Sequence, residues 1–140
     1  MDPEDFFRVA DSIVRIKQKT CSEEILFRSA INRLYYGIFH FIQKKLGIII
    51  PDSEIHRCHA YIKEKIEETN IRSDYMDLEE FRVHADYHLS APINRKDFED
   101  TLKLKNRLVR IIKEGSISFM ADEDEFFFEK FKAKRRKKSR

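Results

Sequence analysis

The sequence predicts an all-α fold, an up-and-down bundle of four or five helices. The first observation is composition: 38% of the 140 residues are charged, and only three are glycine and three proline, which argues against collagen-type repeats and disulfide scaffolds. The second is that apolar residues recur at helical spacing between short breaks, and short links favour antiparallel neighbours. The length supports one compact core. We assign residues 1–115 to the bundle and residues 116–140 to a C-terminal extension.

The first two helices carry recognisable start and stop signals. Asp2 is placed to cap the first helix, whose apolar stripe extends to about Lys19. Thr20 and Glu23 have the spacing of a capping box. The second helix is predicted to begin there and to stop at Gly47.

Three further helices are predicted after the break at position 51. Ser53 can cap the third helix, the fourth runs from about Tyr75 to Leu89, and Asn94 can cap a fifth that ends at Gly115. The apolar stripes are Ile55, Cys58, Ile62 and Ile66 on the third helix, and Phe98, Leu102, Val109 and Ile112 on the fifth.

The second helix has two contrasting faces. At about 100° per residue, the core face carries Phe27, Ile31, Leu34, Tyr35, Ile38, Phe41 and Ile42. The opposite face carries Ser29, Asn32, Arg33, Tyr36, His40 and Gln43. A face that meets only water more often carries Lys and Glu, so this one predicts a polar cleft or a contact with a second subunit. A half-buried polar face in an ordinary bundle is the alternative.

The fourth helix combines a core stripe with polar flanks. Leu78, Phe81, Ala85 and Leu89 form the stripe. Arg82 and Asp86 lie four apart on one flank, as an ion pair requires, and His88 lies on the other. An arginine can fork onto phosphate oxygens and a histidine can move protons at neutral pH. The pattern therefore indicates either a structural ion pair or a site for phosphodiester cleavage.

Two segments are distinctive, RSAINRLYYGIFH at residues 28–40 and RVHADYH at residues 82–88. In these segments the chain is similar to the HEPN family of small helical domains from prokaryotic toxin–antitoxin and defence systems. The resemblance implies a dimer in which Arg-x(4–6)-His motifs of two subunits share one cleft. In active members the cleft is a metal-independent endoribonuclease, with no cofactor, that cleaves RNA by 2'-hydroxyl attack. It assigns the catalytic roles to Arg82 and His88.

The resemblance also implies supporting residues and an alternative function. The supporting set is His84, Asp86 and Tyr87 on the fourth helix, with Asn32, Tyr36 and His40 on the second. A nucleotidyltransferase-like antitoxin often accompanies such toxins, and Tyr87 is the candidate for modification by it. The alternative is a non-catalytic module of the same family that binds RNA, nucleotide or such a partner.

The C-terminal extension concentrates charge. Residues 121–129 contain five acids and residues 130–140 contain eight bases, whereas the net charge of the chain is only +3. The basic run includes Lys134, Arg135, Arg136, Lys137 and Lys138. It predicts an arm that adds sequence-independent affinity for RNA. The phenylalanines at 126–128 are expected to pack on the bundle or to anchor a partner.

Several other site classes are disfavoured. Cys21 and Cys58 lack Cys-x-x-Cys spacing, so we expect reduced, buried thiols. His56, Cys58 and His59 resemble part of a metal cluster but have no companion ligand pair. The acidic N-terminus and the lack of a long apolar run predict a soluble, cytoplasmic protein without a membrane span.

Overall fold

A computed structural model of the chain describes residues 1–16 and 21–119, and this part contains five α-helices and no β-strand. The prediction of a helical bundle is confirmed. The helices are α1 (Glu4–Val14), α2 (Glu23–Lys45), α3 (Cys58–Ile66), α4 (Arg72–Tyr87) and α5 (Arg95–Lys113). A 3-10 helix, Asp52–Arg57, precedes α3.

Local hydrogen bonds explain where the helices begin. Asn94 and Asp97 form the reciprocal capping box that starts α5, which confirms the cap at Asn94. The Asp2 carboxylate accepts a hydrogen bond from Glu4 N–H at 3.0 Å, as its predicted capping role requires. The cap of α2 is Ser22, whose hydroxyl accepts from Ile25 N–H at 3.3 Å. Thr20, the predicted cap, lies outside the described residues.

Four predicted features of the helices are wrong. The first helix ends at Val14, before the predicted end at about Lys19. The third helix is not capped by Ser53, because the chain first forms a 3-10 turn, and Ile55 on that turn is 59% exposed. The fourth helix starts three residues before Tyr75, since Ile71 and Thr69 are buried and anchor its first turn. It ends at Tyr87, so Leu89 leaves the core stripe and is 75% exposed.

The α2 helix forms the centre of the bundle and packs against the other four helices. All seven residues of its predicted core face are buried. Its C-terminal half packs with α3, α4 and α5, and its N-terminal half packs with α1 and the end of α4. Gly37 permits the close approach of α1, because a Cβ there would lie 2.4 Å from the Phe7 ring.

The remaining predictions about the body concern thiols and membranes. Cys21 and Cys58 are both free, as predicted, but Cys21 is exposed and Cys58 only half-buried, so the expectation of burial is wrong. Over residues 1–16 and 21–119, no helix combines the length and the apolar character that crossing a membrane requires.

Candidate functional site

Polar side chains of α2 and α4 meet in one connected group, which we call the Arg82 cluster (Asn32, Tyr36, Arg82, Asp86 and Tyr87). Asn32 Nδ2 donates to Asp86 Oδ2 at 2.8 Å, and Arg82 Nε lies 2.9 Å from the same oxygen. Arg82 Nη2 donates to the hydroxyl groups of Tyr36 at 3.0 Å and Tyr87 at 3.4 Å. Five of the eight residues assigned from the sequence therefore lie together.

The Arg82 guanidinium is held among aromatic rings but is not saturated with hydrogen bonds. Its Cζ lies 5.4, 5.4 and 5.3 Å from the ring centres of Tyr35, Tyr36 and Tyr87. The Nε–H is buried and is not directed at Asp86 closely enough to form a hydrogen bond. Within the described residues, Nη1 has no acceptor either. The arginine is thus fixed in place, and its Nη1 N–H groups are left for a ligand.

His88 lies at the C-terminal end of α4, and within the described residues its side chain has no contact with this cluster. It is exposed, and its ring centre is 4.7 Å from that of His84. His84 lines a groove of about 670 Å³ between α4 and α5, on the side of α4 opposite Tyr36. Over residues 1–16 and 21–119, no contact joins the side chains of Arg82 and His88. One protomer therefore does not bring the two predicted catalytic groups together.

The polar face of α2 is divided between two surroundings. Asn32 and Tyr36 face α4, whereas His40 stacks on Phe6 of α1 with ring centres 5.2 Å apart. The Arg33 guanidinium lies over the same Phe6 ring at 5.8 Å. Burial lowers the pKa of His40. His40 therefore belongs to the packing of α1 on α2, and only part of this face borders a polar site.

Arg28 is a structural residue that the sequence analysis did not single out. It is 9% exposed and pairs with Glu24 at 2.8 Å. Its guanidinium donates to four backbone carbonyls at the end of α4, those of His84, Ala85, His88 and Ala91. The carbonyls of His84 and His88 also accept from backbone N–H groups, whereas Arg28 supplies donors for those of Ala85 and Ala91 near the helix terminus. The only signal in the sequence is the i,i+4 spacing of Glu24 and Arg28.

A second group missed by the sequence analysis lies beneath the Arg82 cluster. The Tyr35 hydroxyl is 2.7 Å from His59 Nδ1, 3.0 Å from the Tyr75 hydroxyl and 3.4 Å from Glu79 Oε2. Lys63 Nζ donates to Glu79 Oε1 at 3.0 Å. Burial raises the pKa of both tyrosines well above the ordinary value. The tyrosines therefore stay neutral and act as hydrogen-bonding links.

The histidines that resembled part of a metal cluster in the sequence, His56 and His59, lie in different surroundings. His56 is exposed on the 3-10 helix, whereas His59 is half-buried and hydrogen-bonded to Tyr35. Within the described ranges, no group of three or more His, Cys, Asp or Glu residues is placed to hold a metal ion. The His59 imidazole is instead part of the tyrosine network.

An open cleft of about 720 Å³ runs beside the Arg82 cluster, between the start of α2 and the end of α4. Its lining includes Ser29, Asn32, Arg33 and Asp86. Exposed apolar side chains stand at its edge, with Ile25 53% exposed and Leu89 75% exposed. The cleft gives a polymer or a second protein chain access to the polar side of α2.

Comparisons with known proteins give no assignment. No protein-family model matches the chain, and no curated protein or solved structure matches it. The basic run Lys134, Arg135, Arg136, Lys137 and Lys138, and the phenylalanines at 126–128, lie outside the described residues. The functional interpretation therefore depends on the residue chemistry of the bundle.

Proposed function

We propose that this chain is a metal-independent endoribonuclease with a HEPN-like fold, which acts as a homodimer on single-stranded or loop RNA. The observation that carries the proposal is the Arg82 guanidinium, fixed by Tyr36 and Tyr87 but with N–H groups that have no protein acceptor. A preorganised guanidinium of this kind suits a phosphate oxygen that gains charge in a transition state.

The surroundings of Arg82 fit an RNA ligand. Asp86 balances the guanidinium charge and is itself held by Asn32, so the arginine does not have to be ordered when RNA binds. Tyr87 is 67% exposed and offers a ring on which an unpaired base can stack. In the proposed reaction the 2'-hydroxyl attacks the adjacent phosphorus, the 5'-oxygen leaves, and the product carries a cyclic phosphate.

His88 enters the proposal through the dimer. Its side chain is exposed at the end of α4 and lies away from Arg82 of the same chain. We assign proton transfer to His88 of the partner subunit, which would approach Arg82 across the cleft. The Arg28 carbonyl contacts fix the backbone of His88 and so the point from which its imidazole projects.

The proposal includes a protein partner and a cellular setting. The Tyr87 hydroxyl is reachable and lies 3.4 Å from Arg82 Nη2. A nucleotide attached there by a nucleotidyltransferase-like antitoxin would place a phosphate on Arg82 and block RNA. The basic run at residues 134–138 would add affinity for the RNA backbone. We place the protein in the cytoplasm, where its proposed RNA substrate and antitoxin partner would be met.

A second function is favoured by one observation. Because the Arg82 and His88 side chains do not meet in one protomer, the Arg82 cluster can serve as a binding site without proton transfer. A non-catalytic HEPN-like module that binds RNA, nucleotide or a partner protein is the alternative.

The test is RNA cleavage by the full chain in the presence of a chelator. We expect cyclic phosphate products from the unaltered protein and a loss of about 100-fold or more for Arg82→Ala and for His88→Ala. Arg110→Ala and His56→Ala are matched controls, since both side chains are exposed and distant from the cluster in sequence. RNA binding without any cleavage would instead establish the non-catalytic module.

A further inference from the structure

Arg82 has a histidine beside it in its own protomer, and that residue is His59. The His59 ring packs on Tyr35 and Tyr36, with ring centres 5.6 and 5.7 Å apart. The Arg82 guanidinium lies over the same two rings at 5.4 Å. The imidazole and the guanidinium, on α3 and α4, therefore both pack on the same two tyrosine rings of α2.

The Tyr35 hydroxyl determines the tautomer of His59. Its single proton has three acceptors within reach: His59 Nδ1 at 2.7 Å, the Tyr75 hydroxyl at 3.0 Å and Glu79 Oε2 at 3.4 Å. When Tyr35 donates to Glu79, which forms an ion pair with Lys63, the Tyr35 oxygen accepts from His59 Nδ1–H. Within the described residues, Nε2 has no hydrogen-bonding partner. In that arrangement the Nε2 lone pair is free to accept a proton.

The charges that face His59 keep it neutral near pH 7. They come from Lys63 on α3, from Glu79 and Arg82 on α4, and from His40 on α2. Tyr35, also on α2, is in direct contact with His59. Burial and then the Arg82 charge lower the pKa of His59 below 6.5, outweighing Glu79. A neutral imidazole is the form that a general base needs.

We propose that His59 is the general base of this site. The inference rests on the proposed ribonuclease function and names a residue that the Arg-x(4–6)-His pattern does not contain. His59 Nε2 takes the proton from the ribose 2'-hydroxyl as the O2'–P bond forms. The P–O5' bond breaks, and the 5'-oxygen receives a proton from the imidazolium of His88 of the partner subunit. Arg82 stabilises the charge on the phosphoryl oxygens. Solvent then takes the proton from His59 and returns one to His88 of the partner subunit.

The test compares His59→Asn with the unaltered full chain in RNA cleavage across pH. Asparagine can replace Nδ1 as a donor to Tyr35 but has no atom in the place of Nε2. We expect kcat/KM to fall about 100-fold or more and the decline on the acidic side of the pH profile to disappear. His56→Asn, three residues earlier and exposed, should keep both the rate and the profile.

The outcomes separate the two proposals. If the unaltered chain cleaves RNA and His59→Asn keeps its rate within about threefold and its acidic decline, His59 is not the base and the ribonuclease function stands. If the unaltered chain cleaves no RNA, the ribonuclease function fails, and the catalytic role of His59 fails with it.

A spectroscopic measurement covers the case in which His59→Asn does not fold. In nitrogen-15 NMR of the unaltered chain, we expect His59 to carry its proton on Nδ1 at neutral pH. A proton on Nε2 instead would remove the lone pair that the mechanism needs and would overturn the assignment.

Discussion

Two arginines at the interface of α2 and α4 look alike in sequence and differ in structure. Arg28 and Arg82 each pair with a carboxylate four residues away, Glu24 and Asp86, and their side chains are 10% and 14% exposed. Arg28 donates to four backbone carbonyls as well as to Glu24. Arg82 donates to tyrosine hydroxyl groups and keeps N–H groups without acceptors.

The difference shows how a structural arginine is distinguished from a ligand-binding one. The Arg28 guanidinium spends its hydrogen bonds on Glu24 and on carbonyls at the end of α4, so a ligand would have to break hydrogen bonds that hold the fold. Folding removes Arg82 from water, but the protein does not give every N–H group of its guanidinium an acceptor. This loss of hydrogen bonds to water costs free energy of folding. A phosphate bound at Arg82 Nη1 would supply acceptors there and recover part of that cost.

The largest expected effect is on stability, from Arg28→Ala. Removing the guanidinium takes its hydrogen bonds away from Glu24 and from four backbone carbonyls, so we expect the free energy of unfolding to fall by about 3–5 kcal/mol. Urea denaturation measures it. Arg95→Ala is the matched control, because its ion pair with Glu23 at the start of α2 is exposed and should contribute less than about 1 kcal/mol. Equal small losses in both variants would show that the Arg28 contacts are not structural.

Arg82→Lys should separate function from stability. Lysine keeps the charge but cannot present a planar fork to phosphate, so we expect RNA cleavage to fall about 100-fold while the free energy of unfolding changes by less than about 1 kcal/mol. Arg107→Lys is the matched control for loss of a guanidinium, because the Arg107 side chain is 52% exposed and pairs with Asp74 in the first turn of α4. A variant that lost stability and activity together would place Arg82 with Arg28 as a structural residue.

Asn32→Ala tests the orientation of Asp86. Asn32 Nδ2 donates to Asp86 Oδ2 at 2.8 Å, and loss of one such hydrogen bond corresponds to about 1 kcal/mol, or about a fivefold decrease in kcat. Ser29→Ala, on the same side of α2 and exposed, should leave the rate of RNA cleavage unchanged. An unaltered rate in Asn32→Ala would mean that Asp86 needs no support.

The smallest expected effect is a pH dependence at the Arg28 contacts. The hydrogen bond from Arg28, followed by that from Ile93 N–H, lowers the pKa of Glu24 below its ordinary value of 4.5. The unfolded chain therefore binds this proton more readily, and the contribution to stability is present above pH 4.5 and lost as pH falls below it. Urea midpoints of the unaltered chain and Glu24→Gln should converge with acidification. A constant difference between the two midpoints would contradict the shift.

Features set by local spacing were predictable from the sequence, as Asn94 and the core face of α2 show. The two ends of α4 were not predictable. Buried Ile71 extends its start, and at its end the Arg28 side chain donates hydrogen bonds to the backbone carbonyls. The i,i+4 pair of Arg82 and Asp86 was predictable for the same local reason. The neighbour His59 was not, because it lies 23 positions from Arg82 and only the packing of α3 brings it close.

The most direct test of the central claim is NMR of the arginine Nε–H signals during titration with an RNA oligonucleotide that carries a 2'-deoxy group at the scissile position. We predict that the Arg82 signal moves as phosphate takes up its unused N–H groups, while the Arg28 signal stays in place. An Arg82 signal that does not move at saturating RNA would contradict a phosphate site at this residue.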